Sequence, residues 1–259
     1  MHSLVDTHAH LDDAAFASDR TEVIERACAA GVESMIVPAV DQRNWSTIRK
    51  LCGEHRELFP AFGLHPMYLA QHAPEHVQAL STWLDAGRAV GIGEIGLDFH
   101  VEGLDRTLQR DYFIRQLRLA RERQLPVIVH ARGALEEVIL TLRRVGGLRG
   151  VVHSFSGSEQ QARQLWQLGF HLGIGGPVTY DRAQRLRRLV AQMPIEYLLL
   201  ESDAPDQSDT DHRGQRNEPA RVVTVLNCIA ALRGEPATAI AVATSANARK
   251  LFGLPSPSG

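Results

Sequence analysis

The chain has 259 residues, a formal net charge of −2 at neutral pH, and 44% hydrophobic and 22% charged residues. That is the composition of an ordinary globular protein; it excludes binding of a polyanion by bulk charge, which leaves only a local patch for that task. No apolar stretch approaches the ~20 residues of a membrane span. Cys28, Cys52 and Cys228 lie far apart with no Cys-x-x-Cys, which fits reduced thiols in the cytoplasm rather than a disulfide framework. The first strand pattern begins almost at Met1, so no signal peptide is expected.

In chain order, short β-rich runs alternate with amphipathic helical patterns. The runs 3–6, 34–37, 58–63, 89–93, 127–130, 150–153, 170–174 and 197–201 read as strands. Helices are expected at 21–30, 46–55, 74–86, 108–123, 134–145, 159–168, 183–191 and 220–232. Within the fourth helix Phe113, Leu117 and Ala120 recur at spacings of four and three, a single buried stripe. Pro126 and Pro194 each stand just before a strand, and Gly31 follows a helix as a C-cap would. Residues 207–216 read as a mobile polar loop over the eighth strand, and 254–259 as a frayed tail.

Strands alternating with helices imply βαβ units and a parallel sheet. Eight units favour a (β/α)8 TIM barrel, whose ~250 residues match this length, and the whole chain, 1–259, reads as one domain. An open dinucleotide fold fares badly. The only Gly-x-Gly-x-x-Gly, at Gly91, Gly93 and Gly96, follows the fourth strand and holds Glu94, which would repel a pyrophosphate.

Ligand-type residues close these strands. Asp6, His8 and His10 alternate along one extended segment, and i, i+2 side chains share a face. His65 follows the third strand, Glu94 closes the fourth, His130 the fifth, His153 the sixth, and Glu201 with Asp203 the eighth. Strand C-termini of a barrel gather at one rim. Each residue alone has a plain structural reading: a core histidine, a Glu–Arg pair, or Asp203 as a helix cap. Jointly that reading is poor, because burying several imidazoles and carboxylates without a cation is costly. His8, His10, Glu94, His130, His153 and Asp203 are too many for one zinc and enough for two divalent ions bridged by Glu94. Mixed His and carboxylate ligands suit Zn, Mn, Ni or Fe better than Mg. Arg132 and Arg216 carry guanidinium forks that match phosphate oxygens. The four arginines of 182–188 read first as a solvated helix face and second as a nucleic-acid contact. Ser154 and Ser156 lack a Gly-x-Ser-x-Gly setting, so covalent serine catalysis is rejected.

Taken in order, Asp6-Thr7-His8-Ala9-His10-Leu11, Gly63-Leu64-His65-Pro66, Gly93-Glu94-Ile95-Gly96-Leu97-Asp98, His130-Ala131-Arg132, His153-Ser154-Phe155-Ser156-Gly157, Glu201-Ser202-Asp203-Ala204-Pro205 and Arg216-Asn217-Glu218-Pro219 resemble the TatD family of metal-dependent deoxyribonucleases, which are amidohydrolase-like TIM barrels. The resemblance runs from residue 4 to about 253. It implies a hydrolase of DNA phosphodiester bonds that uses a metal-activated water, with exonuclease character in several members, acting on single-stranded DNA or a strand end. Carried over, His8, His10, Glu94 and Asp203 would hold one ion, and Glu94, His130 and His153 the other. Asp203 would orient or deprotonate the water. Arg132, His65 and Arg216 would contact phosphate, with Asp6 and Glu201 behind the ligands. Two departures stand out: Ser202 where the family commonly has Thr, and Phe99-His100 where Tyr is frequent, which makes His100 an extra candidate ligand. The acidic loop 206–212 is an odd lip for a polyanion. The alternative is an amidohydrolase acting on a small amide, lactone or ester with the same dinuclear site; a non-catalytic metal module ranks below both. No membrane or obligate protein partner is implied, and a monomer is expected.

Overall fold

The computed structural model describes residues 3–256. Eight strands form one sheet in the order β1 to β8: Leu4–Asp6, Val32–Pro38, Leu58–Phe62, Gly91–Asp98, Val127–Arg132, Gly150–Val152, Phe170–Ile174 and Leu198–Leu200. The pairings β1–β2, β3–β4, β4–β5, β5–β6 and β7–β8 are parallel. The backbone N–H of Thr7, just past β1, donates to Leu200 O of β8 at 3.0 Å, so the last strand returns to the first. Helices fill the connections: α1 Arg20–Ala29, α2 Trp45–Glu54, α3 Glu75–Asp85, α4 Arg106–Arg123, α5 Leu135–Val145, α6 Glu159–Gln167, α7 Gln184–Gln192, α8 Val222–Arg233 and α9 Ala237–Phe252. This order and connection are those of a (β/α)8 barrel.

The chain divides into two compact units. The first comprises Met1–Val37, Ser154–Ser158 and His171–Gly259, and the second Pro38–His153 and Glu159–Phe170. The first unit holds β1, most of β2, β7 and β8, covered by α1, α7, α8 and α9. β1 and β8 are short and buried throughout, as expected where both faces are covered. Residues 208–210 of the loop after β8, and its flanks, are hydrogen-bonded to their surroundings. Thr210 N–H donates to Thr179 Oγ1, Tyr180 Oη donates to the carbonyls of Ser208 and Asp209, and Asn217 Nδ2 donates to those of Ser202 and Asp206. The expected tail begins with a residue that packs: Leu254 is buried, while 257–259 lie outside the described residues. α9 follows α8 after three residues and was not expected from the sequence.

The second unit holds β3 to β6 with α2 to α6. Here β4 runs on to Asp98, so Glu94 is in mid-strand and not at its end, with a register shift between Ile92 and Ile95. The sequence pattern breaks at the three glycines, which hide the continuation. α4 starts at Asp105, whose carboxylate accepts from Thr107 and Leu108 N–H, and turns out through Gln124 in the left-handed region. Its inner stripe carries Phe113, Leu117 and Ala120, but also two buried glutamines two turns apart. Gln109 brackets Asp98, accepting from its N–H and donating to its carbonyl. Gln116 does the same for Leu64, at 2.8 and 3.2 Å. One helix face thereby fixes the ends of β3 and β4.

Replacing Gln116 with Leu should strand the buried N–H and C=O of Leu64. An unfolding free energy lower by about 2–6 kcal/mol is expected, at about 1–3 kcal/mol for each group left unpaired, with the denaturant m-value unchanged. A loss below about 0.5 kcal/mol would mean that water replaces the glutamine.

Candidate functional site

In the first unit the segment after β1 keeps its extended alternation. His8 is fully buried and His10 half-buried, and their Nε2 atoms face each other at 3.1 Å. Asp203 follows β8 in the left-handed region at φ 56°, which Asp tolerates better than most residues. Its Oδ1 stands 3.6 Å from His8 Nε2 and 3.9 Å from His10 Nε2. Its backbone N–H donates to His8 O at 2.9 Å. Behind them lies Asp6, which accepts from Ser202 Oγ (2.6 Å), Ser202 N–H (2.9 Å) and His8 N–H (3.1 Å). Burial pushes the Asp6 carboxyl up to about 7, against those three donors and with the Asp203 charge adding to the rise. Glu201 accepts from Ser154 N–H. Its carboxylate lies over Gly173, where a Cβ would come within 2.0 Å of Glu201 Oε2.

The second unit gathers another set around Glu94, which is almost fully buried. Glu94 Oε1 is 2.8 Å from His153 Nε2, 2.9 Å from His65 Nε2 and 3.1 Å from His130 Nδ1. One ligand-type atom each of His65, Glu94 and His130 lies within 4.8 Å of the others. His65 was expected to meet phosphate, but it is buried and engaged at both ring nitrogens. Its Nδ1 accepts from Met67 N–H, so Nε2 carries the hydrogen and donates to Glu94. Burial lowers the His65 ring to about 4, which keeps it neutral. Its contacts are those of a residue that positions Glu94.

Asp98 was quoted in the sequence reading but given no task. Its Oδ2 lies 3.0 Å from His130 Nε2 and its Oδ1 accepts from the N–H groups of His100 and Val101. Burial works to raise its pKa, but these donors prevail and hold it at about 2. A carboxylate on the far nitrogen of an imidazole leaves the near one, Nδ1, to act as ligand. The available signal was spacing: Asp98 is four residues beyond Glu94 in one strand, hence on the same face. Gln207 was also missed. Its Nε2 donates to Asp203 Oδ2, and its side chain also bonds Ser154 Oγ. It lies in a loop, where no periodicity announces a role.

The three phosphate candidates have separate fates. Arg132 is exposed at the end of β5, and its guanidinium has no partner among the described residues. Arg216 is committed elsewhere: it grips Asp19 with two bonds of 2.7 Å, donates to Ala15 O and lies over the Phe16 ring. These bonds hold the Asp19 carboxyl down at about 2. Arg216 therefore fastens α1's entrance to the loop after β8, and its charge is already neutralised. The His100 ring is exposed.

The donor set in each unit fits a divalent cation. Ring nitrogens 3.1–3.2 Å apart occur twice, His8 with His10 and His130 with His153. Two nitrogens bound tetrahedrally at about 2.0–2.1 Å would stand about 3.3 Å apart. Imidazole pairs with a carboxylate beside them are ligand types for Zn, Mn, Ni or Fe.

Residues 5–253 match the family model described as TatD related DNase. The chain belongs to the TatD-related DNase family. It is 39% identical to an uncharacterized metal-dependent hydrolase, YjjV of Escherichia coli K12, over 97% of this chain and 98% of that one. The crystal structure of YjjV superimposes with a TM-score of 0.94 at 37% identity, covering 98% and 99% of the two chains. A Salmonella typhimurium relative named as the 3′-5′ ssDNA/RNA exonuclease TatD is 34% identical over 96% of this chain and 98% of its own. At 15% identity and a TM-score of 0.71, an organophosphorus hydrolase of Deinococcus radiodurans shares the fold. The family is one of metal-dependent hydrolases.

In metal-free protein the Asp6 carboxyl should make stability fall as pH rises. Its folded value of about 7 lies above the ordinary 3.8, so the native state holds the proton more tightly. That contribution is complete below about pH 4 and lost by about pH 7. Urea titrations across this range should show a wild-type slope that Asp6→Asn removes. Equal slopes in the two proteins would contradict the assignment.

Proposed function

We propose that this protein is a metal-dependent deoxyribonuclease, hydrolysing phosphodiester bonds of single-stranded DNA or of a strand end, and that the whole chain works as one catalytic domain. The observation that carries the reading is the pairing, in each unit, of two imidazoles with a buried carboxylate, within a family whose members include a chain named as a single-strand exonuclease. We assign one divalent ion to His8, His10 and Asp203 and a second to Glu94, His130 and His153. Bound divalent ions would polarise phosphate oxygens and lower the pKa of a coordinated water.

The chain's own groups supply the rest. Asp203 takes the proton of the attacking water as the new O–P bond forms and the ester O–P bond breaks, and the departing oxygen takes a proton from solvent to leave as the alcohol. The Gln207 amide holds Asp203 Oδ2, which leaves Oδ1 toward the two imidazoles. Asp98 keeps His130 in the tautomer with Nδ1 free of its proton, and His65 anchors Glu94 through Nε2–H. Asp6 and Glu201 stand behind the reacting groups. Arg132, exposed and unneutralised, binds a phosphate oxygen. An amide or lactone hydrolase bridged by a carboxylated lysine is disfavoured: Lys50 and Lys250, the only lysines, lie on α2 and α9. With all three cysteines free, we place the enzyme in the cytoplasm and expect a monomer. No single helix among the described residues is long and apolar enough to cross a membrane.

End-labelled single-stranded DNA should be shortened by the protein with Mn²⁺ or Mg²⁺ and left intact with chelator. Asp203→Ala and Glu94→Ala should each lower turnover by about 10³-fold or more, the scale of losing a transition-state contact, with unchanged circular dichroism. Turnover within tenfold of wild type in either variant would refute the site. Arg132→Ala should raise KM for DNA about tenfold, at full metal content by elemental analysis. Metal loss in that variant would mean that Arg132 supports the ligands instead.

A further inference from the structure

The first unit carries a group of arginines that the proposed chemistry leaves unused. Arg182, Arg185 and Arg188 are exposed, and none has a carboxylate partner among the described residues. Several other surface arginines are matched by acids, as in Arg26 with Glu218, Arg43 with Asp41, Arg110 with Glu137 and Arg163 with Glu159. In a chain of net charge −2, three unmatched cations in seven residues are a local positive field.

Their placement links them to Asp203. Gln207 bonds both Asp203 and Ser154. Ser154 opens the segment Ser154–Ser158, and Arg185 Nη2 donates to the carbonyl of Ser156 in that segment at 2.6 Å. Arg188 lies one turn further along the same face of α7, about 5–6 Å away at Cβ. Arg182 rests 5.2 Å from the centre of the Tyr180 ring, whose hydroxyl is bonded to the backbone of the loop after β8. All three follow the C-terminus of β7, Arg185 being joined to Asp203 through the segment 154–156 and Gln207, and the N-terminus of α7 adds a favourable dipole. The acids nearby are partly committed elsewhere. Asp209 is buried against Asp211 N–H and the His212 ring, and Asp181 leans toward the half-buried Arg187 at 3.6 Å. Only Asp206 and Asp211 face solvent in that loop.

Resting on the nuclease reading, we propose that Arg182, Arg185 and Arg188 form a track that holds the phosphates of the single strand beyond the scissile bond. The Ser156 carbonyl orients Arg185 while leaving its charge unneutralised, and Tyr180 does the same for Arg182. The track binds backbone and not base edges, so it acts on polynucleotides and adds nothing for a small diester.

The test compares wild type with the triple variant Arg182→Gln, Arg185→Gln, Arg188→Gln and with an equal charge change on α4 and α5, at Arg118, Arg121 and Arg144. Binding of a fluorescein-labelled thymidine oligonucleotide is followed by anisotropy in chelator over a range of salt. The same proteins are then assayed with Mn²⁺ on bis(p-nitrophenyl) phosphate. The triple variant should bind at least about tenfold more weakly near 0.1 M salt, with its log–log salt slope reduced by about 2, as for three lost phosphate contacts. Small-diester turnover and the control variant should match wild type. Arg188→Gln alone, which breaks no contact, should lower the slope by about 0.7. DNA binding and slope unchanged in both variants, or no DNA binding by wild type, would overturn the track. Wild type that binds DNA through these arginines yet hydrolyses neither substrate would overturn the nuclease reading and leave the track standing.

Discussion

Asp6 is fully buried and accepts three hydrogen bonds, two of them from a serine 196 residues away in the chain. A carboxylate in such a place is costly unless its donors are in position. Ser202 must sit where it does for Asp6 to be tolerated. Once it does, Asp203 is one residue beyond and His8 two residues beyond the groups that are locked. The Asp203 N–H to His8 O bond completes the alignment. The two imidazoles and the carboxylate beside them thus inherit their geometry from a contact that takes no part in chemistry.

Glu94 is governed by a similar logic in the second unit. It carries one carboxylate against three imidazoles, and the outer partners decide what each ring can do. Asp98 occupies the far nitrogen of His130 and the Met67 N–H occupies that of His65. The first arrangement holds His130 between two carboxylates, which favour its charged form, while the second leaves His65 neutral with its hydrogen toward Glu94. Chemically identical side chains are given opposite roles by one backbone amide and one carboxylate. Gln109 and Gln116 on α4 hold the strand ends that make this possible.

The strands and the ligand-type residues were legible because both follow short-range rules. Period-two alternation put His8 and His10 on one face, and apolar runs located eight strands to within a few residues. What failed was what depends on contacts distant in sequence. Glu94 reads as a strand end because glycines mask the run to Asp98. Arg216 reads as a phosphate clamp, since nothing local reveals Asp19, 197 residues earlier. His65 looks like any exposed histidine before Pro66, and only the bond to Glu94 shows otherwise. Loop 207–216 is polar and reads as mobile, yet backbone groups of Ser208, Asp209 and Thr210 are met by Tyr180 and Thr179. α9 was missed because its alanine-rich turns lack a strong amphipathic stripe.

The return of β8 to β1 has a consequence for how the protein is made. Thr7 meets Leu200 across 193 residues of chain, and the first unit is assembled from both ends of the sequence. On the ribosome, the opening strand leaves the exit tunnel long before its partner has been translated. The four central strands, contiguous in sequence, can pair first, while the amino-terminal segment with His8 and His10 waits. Asp6 and His8 cannot meet Ser202 and Asp203 until translation is nearly complete.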